Sequence, residues 1–146
     1  MICTPRERSM IGLDTGFFVE LLRANPEAVT VFDSIADGAT EACVSCVTLY
    51  ELKKLALKGH IPPALTSSLV ESIMTFCSVS WLDNIEVHDL AAGLAHSTGI
   101  PGLDCLILAG LVSSHAGVIY TTDKHMTKHR RRGTRVVLIV PTHDQG

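Results

Sequence analysis

Short apolar runs alternate along this chain with longer stretches of helical period. The first run, residues 10–13 (Met-Ile-Gly-Leu), has the length of a strand and is stopped by Asp14 and the break Thr15-Gly16. A helical pattern then covers residues 15–24 and ends before Asn25-Pro26, because a residue preceding proline is pushed out of the α region. Pro26 suits the first turn of a second helix, to about residue 37, which Gly38 terminates. Residues 42–47, small and rich in Val and Cys, read as a second strand. Thr48-Leu-Tyr-Glu51 opens a helix to about residue 58, and Gly59, Pro62 and Pro63 break the chain before another helix over residues 64–76. Residues 77–82 read as a third strand. Asp83 or Asn84 caps a helix to about residue 97, and Gly99-Ile-Pro-Gly102 is a tight link into an apolar helix over residues 103–114. Residues 118–121 form a fourth strand, Asp123 starts a short basic turn, and residues 135–140 form a fifth strand after Gly133.

Strands that alternate with helices in this way predict an α/β chain. The expected architecture has three layers, α/β/α, around a mainly parallel central sheet of about five strands. Residues 1–9 read as a flexible N-terminal arm, or as an upstream start with Met10 the natural one. Residues 10–140 read as one domain and residues 141–146 as a C-terminal tail. There is no internal repeat and no low-complexity segment.

Composition narrows the class. A chain of 146 residues, 47% hydrophobic, has enough apolar mass for one packed core. No apolar run reaches the ~18 residues of a membrane span, and the first residues lack the apolar stretch of a signal peptide. The five cysteines are odd in number, which favours reduced thiols and a cytoplasmic setting over a disulfide framework. Cys43 and Cys46 make one C-x-x-C, but without a second pair they read as core thiols. Net charge is only -3, yet six of the twelve Lys and Arg lie between Lys124 and Arg135. That clustering matters more than the total.

Four acids stand out by context. Asp14 follows the first strand, Glu51 sits in the first turn of the helix after the second, Asp123 follows the fourth, and Asp104 is the one charge on an apolar helix. Ligands of open α/β sheets bind beyond the carboxyl ends of the strands, where three of these acids fall. Each also has a plain structural explanation. Asp14 and Asp123 are good helix caps, Thr48 and Glu51 fit a capping box, and Asp104 suits the positive end of a helix. Asp104 resists that explanation most, because Leu103, Cys105, Leu106, Ile107, Leu108 and Ala109 surround it in sequence. A carboxylate in such a setting needs a partner or a metal. Clustered carboxylates also repel, and a hard divalent cation removes that repulsion. Oxygen-only ligands favour Mg²⁺ or Mn²⁺ over Zn²⁺, and such clusters serve phosphodiester hydrolysis.

These residues carry a resemblance. Ile11-Gly-Leu-Asp14-Thr-Gly-Phe17, Thr48-Leu-Tyr-Glu51-Leu, Gly102-Leu-Asp104-Cys-Leu-Ile-Leu-Ala109 and Tyr120-Thr-Thr-Asp123, in this order, resemble the PIN-domain ribonucleases, especially toxins of the VapC type. The likeness covers residues 10–140. It implies a parallel sheet and an acidic pocket for one or two Mg²⁺ or Mn²⁺. It implies cleavage of single-stranded RNA to leave a 5′-phosphate. Asp14, Glu51, Asp104 and Asp123 match the family's acidic positions, with Thr15 and Thr121 in support. As a toxin the chain would be a homodimer held by a cognate antitoxin. Many relatives place an aromatic shortly after the last acid, where this chain has His125 and Met126.

The basic run from Lys124 is the candidate surface for a single-stranded or structured RNA substrate. Lys124, Lys128, Arg130, Arg131 and Arg132 would neutralise phosphates, a term that dominates affinity without reading sequence. An ordinary solvated charge run is the plain alternative. His125 and His129 stand at i, i+4, the spacing of a metal pair, but within that same run.

Rival readings fail on particular residues. Asp14-Thr-Gly resembles the aspartic-protease signature, but those sites belong to all-β folds. A haloacid-dehalogenase phosphatase needs a second Asp where Gly16 stands, and a receiver domain needs a Lys after its fifth strand, where this chain has Pro141. Within the α/β reading the alternatives to a toxin are a free-standing RNA-processing nuclease and a non-catalytic RNA- or protein-binding module.

Overall fold

The computed structural model describes residues 10–128 and 133–142. Five strands form one wholly parallel sheet: β1 (Met10–Leu13), β2 (Glu41–Ser45), β3 (Ser78–Ser80), β4 (Val118–Thr121) and β5 (Arg135–Leu138), in the order β3-β2-β1-β4-β5. Six helices connect them: α1 (Thr15–Leu22), α2 (Pro26–Ala36), α3 (Cys46–Leu57), α4 (Pro63–Phe76), α5 (Ile85–Thr98) and α6 (Gly102–Ser113). A short 3₁₀ turn covers Lys124–Lys128.

Strand alternation sorts the core into two apolar layers, one on each side of the sheet. Ile11 and Leu13 of β1 and Ala42 and Val44 of β2 face the helices α1 to α4, where Phe17, Phe18, Leu52 and Ile73 are buried. Cys43 and Ile119 point the other way and meet Leu108 and Leu111 of α6. The three-layer α/β/α arrangement read from the sequence is the one observed. Gly12 permits the close fit on the α6 side: a Cβ there would stand 3.1–3.2 Å from Leu111 and Ala116.

The caps explain most helix starts. Asn25 accepts from the amides of Glu27 and Ala28, with Pro26 in the first turn of α2. Asn84, rather than Asp83, accepts from Val87 and caps α5, which Gly99 ends in the left-handed conformation. Strands β3 and β5 are shorter than the sequence reading, and the boundary after β2 also differs from it. Strand β2 stops at Ser45 and α3 begins at Cys46, because the Ser45 hydroxyl accepts from the amide of Val47 at 3.1 Å. The β-branched and Cys residues suggested a longer strand, and a cap overrode that propensity. Thr48 is therefore inside the helix and Glu51 lies in its second turn. The capping box expected of this pair does not form.

The cysteines play no joint role among the described residues. Cys43, Cys46, Cys77 and Cys105 are all unbridged, and burial, then the neighbouring Cys77, pushes the Cys43 thiol up to about 12. Such a thiol is inert at neutral pH. No described helix is long and apolar enough to cross a membrane.

Candidate active site

The strand order creates a switch point between β1 and β4. The chain leaves β1 toward β2 and β3, then returns through α5 and α6 to add β4 on the other side of β1. The two connections diverge there and leave a crevice at the carboxyl ends of the strands. Asp14 follows β1 at this crevice and Asp123 follows β4.

Asp14 does two jobs. One carboxylate oxygen accepts from the Phe17 amide at 3.0 Å and caps α1, as the plain explanation required. The other accepts from the hydroxyl of Thr121. The residue is only 7% exposed. Burial pushes its carboxyl up to about 6; the hydrogen bonds from Thr121 and Phe17 oppose that rise, and the charges of Asp123 and Asp104 add to it.

Thr121 is fully buried and organises both strand ends. Its oxygen also accepts the amide of Asp123 at 2.9 Å. Asp123 in turn accepts from the amide of His125 at 2.8 Å, which starts the 3₁₀ turn. Capping and a place in the crevice are thus compatible for both aspartates.

Glu51 reaches the crevice from α3, where Thr15 donates to it at 2.6 Å. Thr48 lies 3.1 Å from Thr15 through the two hydroxyl oxygens. Thr15 has one hydroxyl proton, and the charged acceptor at the shorter distance takes it. Thr48 then donates to Thr15, so a partly buried hydroxyl relay orients Glu51. Asp104 comes from the first turn of α6 and is partly buried. Burial raises its carboxyl, the charges of Asp123 and Glu51 raise it further, and His125 opposes them.

All four acids line one cavity of about 140 Å³, whose remaining walls include Ile107, Met126, Gly16 and Thr122. Among the described residues no lysine or arginine lines it or is ion-paired with these acids. Gly16 is required at this spot: a Cβ would stand 2.0 Å from the Thr122 hydroxyl oxygen. Sequence reasoning missed Thr48, Thr122 and Met126, and read Gly16 only as a break. Thr48 carried a misleading signal, since Thr-x-x-Glu matches a capping box.

The donor set suits a hard cation. It is all oxygen and includes two carboxyls whose ionisation is held back by burial and mutual repulsion. Among the described residues no three His, Cys, Asp or Glu are drawn together as a ready-made ligand cage. Mg²⁺ does not require one, because it keeps several waters and takes one or two carboxylates directly. Of the basic run, Lys124 is exposed on the 3₁₀ turn. The Lys128 side chain, His129, Arg130, Arg131 and Arg132 lie outside the described residues, as do residues 1–9.

The sequence pattern of the PIN domain matches residues 11–132. The chain belongs to the PIN-domain family. PIN domains are in general nucleases, so the acids sit on a scaffold used for phosphodiester hydrolysis. No curated protein sequence matches the chain. Among solved structures, this PIN domain is similar to a chain of VapBC2 from Rickettsia felis bound to a promoter DNA fragment. The TM-score is 0.67 at 14% identity, covering 90% of this chain and 99% of that one. It is also similar to a chain of DNA-bound VapBC from Salmonella typhimurium, with TM-score 0.63, 24% identity and coverage of 89% and 97%. A third is VapBC-1 from nontypeable Haemophilus influenzae, with TM-score 0.60, 18% identity and coverage of 88% and 97%. At these identities the likeness is one of fold.

Proposed function

We propose that this PIN domain is a Mg²⁺- or Mn²⁺-dependent endoribonuclease that hydrolyses single-stranded RNA, and that it is the toxin of a toxin–antitoxin pair. The observation that carries the reading is the convergence of four carboxylates from four separate segments on one cavity that no lysine or arginine among the described residues lines. Asp14, Glu51, Asp104 and Asp123 would hold the metal. When bound, the ion would ionise a water and offset the charge on the phosphate and the leaving oxygen. Thr121 keeps Asp14 aimed into the cavity, and Thr15 does the same for Glu51. Lys124, Lys128, Arg130, Arg131 and Arg132 would neutralise phosphates of the flanking strand.

The toxin assignment draws on the fold neighbours, which are toxin–antitoxin complexes. Leu57, 90% exposed beside an apolar groove of about 520 Å³ between α3 and α4, supports a protein partner such as an antitoxin or a second copy of this chain. Such a pair would act in the cytoplasm.

The test is cleavage of a 5′-labelled single-stranded RNA. Cleavage should need Mg²⁺ or Mn²⁺, stop in EDTA, leave 5′-phosphates, and vanish in Asp14→Asn. Cleavage that persists in EDTA, or no cleavage with either ion, overturns the reading.

A further inference from the structure

The acidic cavity does not end at its acids. Thr15 and Val19 are one helical turn apart on α1, and Glu51 and Leu55 are one turn apart on α3. Residues four apart lie on the same helix face. The first member of each pair lines the acidic cavity, and the second lines a separate groove of about 310 Å³. The two hollows share Thr15, Gly16 and Thr122, which form the ridge between them. That ridge stays low because position 16 carries no side chain, and any Cβ there would strike Thr122.

The far wall of the groove is Pro141, in the segment after β5. This segment is anchored from inside. Glu20, 1% exposed, accepts from the Thr142 amide and, at 2.8 Å, from the Thr142 hydroxyl, and Asn25 donates to the Val140 carbonyl at 2.9 Å. Arg23, half exposed at the groove, pairs with the same Glu20 at 3.2 Å. Val19, Leu55 and Pro141 give the groove an aliphatic wall, Thr15, Thr122 and the half-exposed Arg23 border it, and the buried carboxylate of Glu20 is engaged by Thr142, Asn25 and Arg23.

We propose that this groove seats one nucleotide of the RNA, next to the phosphate that occupies the acidic cavity. The base and ribose would pack on Val19, Leu55 and Pro141. The proposal rests on the reading of the acidic cavity as an RNA-hydrolysing site. A single strand whose phosphate lies among the acids must cross the cavity's rim, and the Gly16–Thr122 ridge opens onto an apolar surface. Apolar burial is non-directional, so packing of a base on such a surface tolerates any sequence. The groove is at the small end of the ~300–1,000 Å³ range of ligand clefts, which fits one nucleotide rather than a peptide helix.

The test uses fluorescein-labelled hexaribonucleotides, one intact and six each lacking one base. Binding is read by anisotropy with Ca²⁺ in place of Mg²⁺, and cleavage of the same probes is followed with Mn²⁺. In the native protein, loss of one particular base should weaken binding about tenfold, the scale of burying one face of a base on an apolar wall. Leu55→Phe fills the groove and should weaken the intact probe by a similar factor. Loss of that same base should then cost nothing more. Val19→Phe fills it from the opposite wall and should show the same coupling. Equal tolerance of base loss at all six positions overturns the proposal, and so do variant and base-loss effects that multiply independently. The base-loss scan in native protein decides even if a filled variant fails to fold. Mn²⁺-dependent cleavage without coupling rejects the groove and keeps the nuclease. Coupling without cleavage keeps the nucleotide seat and rejects the nuclease.

Discussion

The hydroxyl of Thr121 donates to the carboxylate of Asp14 while its oxygen accepts the amide of Asp123. One side chain at the end of β4 therefore ties together the acids that follow two adjacent parallel strands. Thr121→Val keeps the shape and removes both bonds. It should lower stability by about 1–3 kcal/mol, the cost of leaving buried polar groups unpaired, and reduce nuclease activity. Thr121→Ser should restore most of both. Melting and cleavage assays on the two variants check this, and a Val variant as active as the native chain would remove Thr121 from any positioning role.

Stability without metal should depend on pH in a direction set by Asp14. Its carboxyl is raised from 3.8 to about 6, with burial the first cause. Between those values the folded chain holds a proton that the unfolded chain has lost, so stability falls as pH rises through that window. Asp104 is raised too and acts in the same sense. Glu20 behaves oppositely. Burial alone would raise it, but hydrogen bonds from Thr142, Asn25 and Arg23 outweigh that and hold it below 4.5, so its contribution is lost only at lower pH. In EDTA the chain should melt higher at pH 5 than at pH 7, and Asp14→Asn should flatten that difference. Mn²⁺ should stabilise more at pH 7, where the carboxylates are ionised. An unchanged profile in Asp14→Asn contradicts the assignment.

The layers, the strand count and the order of the acids were legible because each rests on a local signal: a short apolar run, a Gly or Pro break, a charge in an apolar helix. What was not legible depends on partners far along the chain. Cys46 and Val47 look like strand residues, and only the Ser45 cap places them in a helix. Nothing local marks Glu20 on α1, yet it is buried and bonded to a segment more than 100 positions later. The ring of hydroxyls around the acids was half visible. Thr15 and Thr121 stand beside acids in sequence, whereas Thr48 revealed its role only through Thr15 on another helix.

Glu20 should matter for the fold more than its charge suggests. Its oxygens hold Thr142, Asn25 and Arg23 together and so anchor the chain after β5. Glu20→Ala removes the buried acceptor shared by the Thr142 amide and hydroxyl and the Asn25 side chain, and should cost about 2–4 kcal/mol. Glu20→Gln keeps one acceptor and should cost less. Hydrogen exchange at the Thr142 amide should accelerate in both variants, and protection equal to the native level would show that other contacts hold the segment.

Glu51 separates a structural carboxylate from a working one. It is not a capping partner, since α3 starts at Cys46 and Ser45 provides the cap. Its visible structural bond is the one it accepts from Thr15 at 2.6 Å. A glutamine can accept that bond through its amide oxygen, so Glu51→Gln should stay within about 1 kcal/mol of native stability. The variant also removes one charge that repels Asp104, which favours the metal-free fold. A Mg²⁺ site built from carboxylates draws on their negative charge, which the neutral amide does not supply. Cleavage of single-stranded RNA with Mg²⁺ should therefore drop by roughly a hundredfold or more, the scale of losing a key electrostatic group. Thr15→Val provides the counterpart: Glu51 keeps its charge and loses its orientation, so activity should fall by less, and higher Mg²⁺ should recover part of it. Full activity in Glu51→Gln would leave Asp14, Asp104 and Asp123 as the acids of the site and Glu51 as their neighbour.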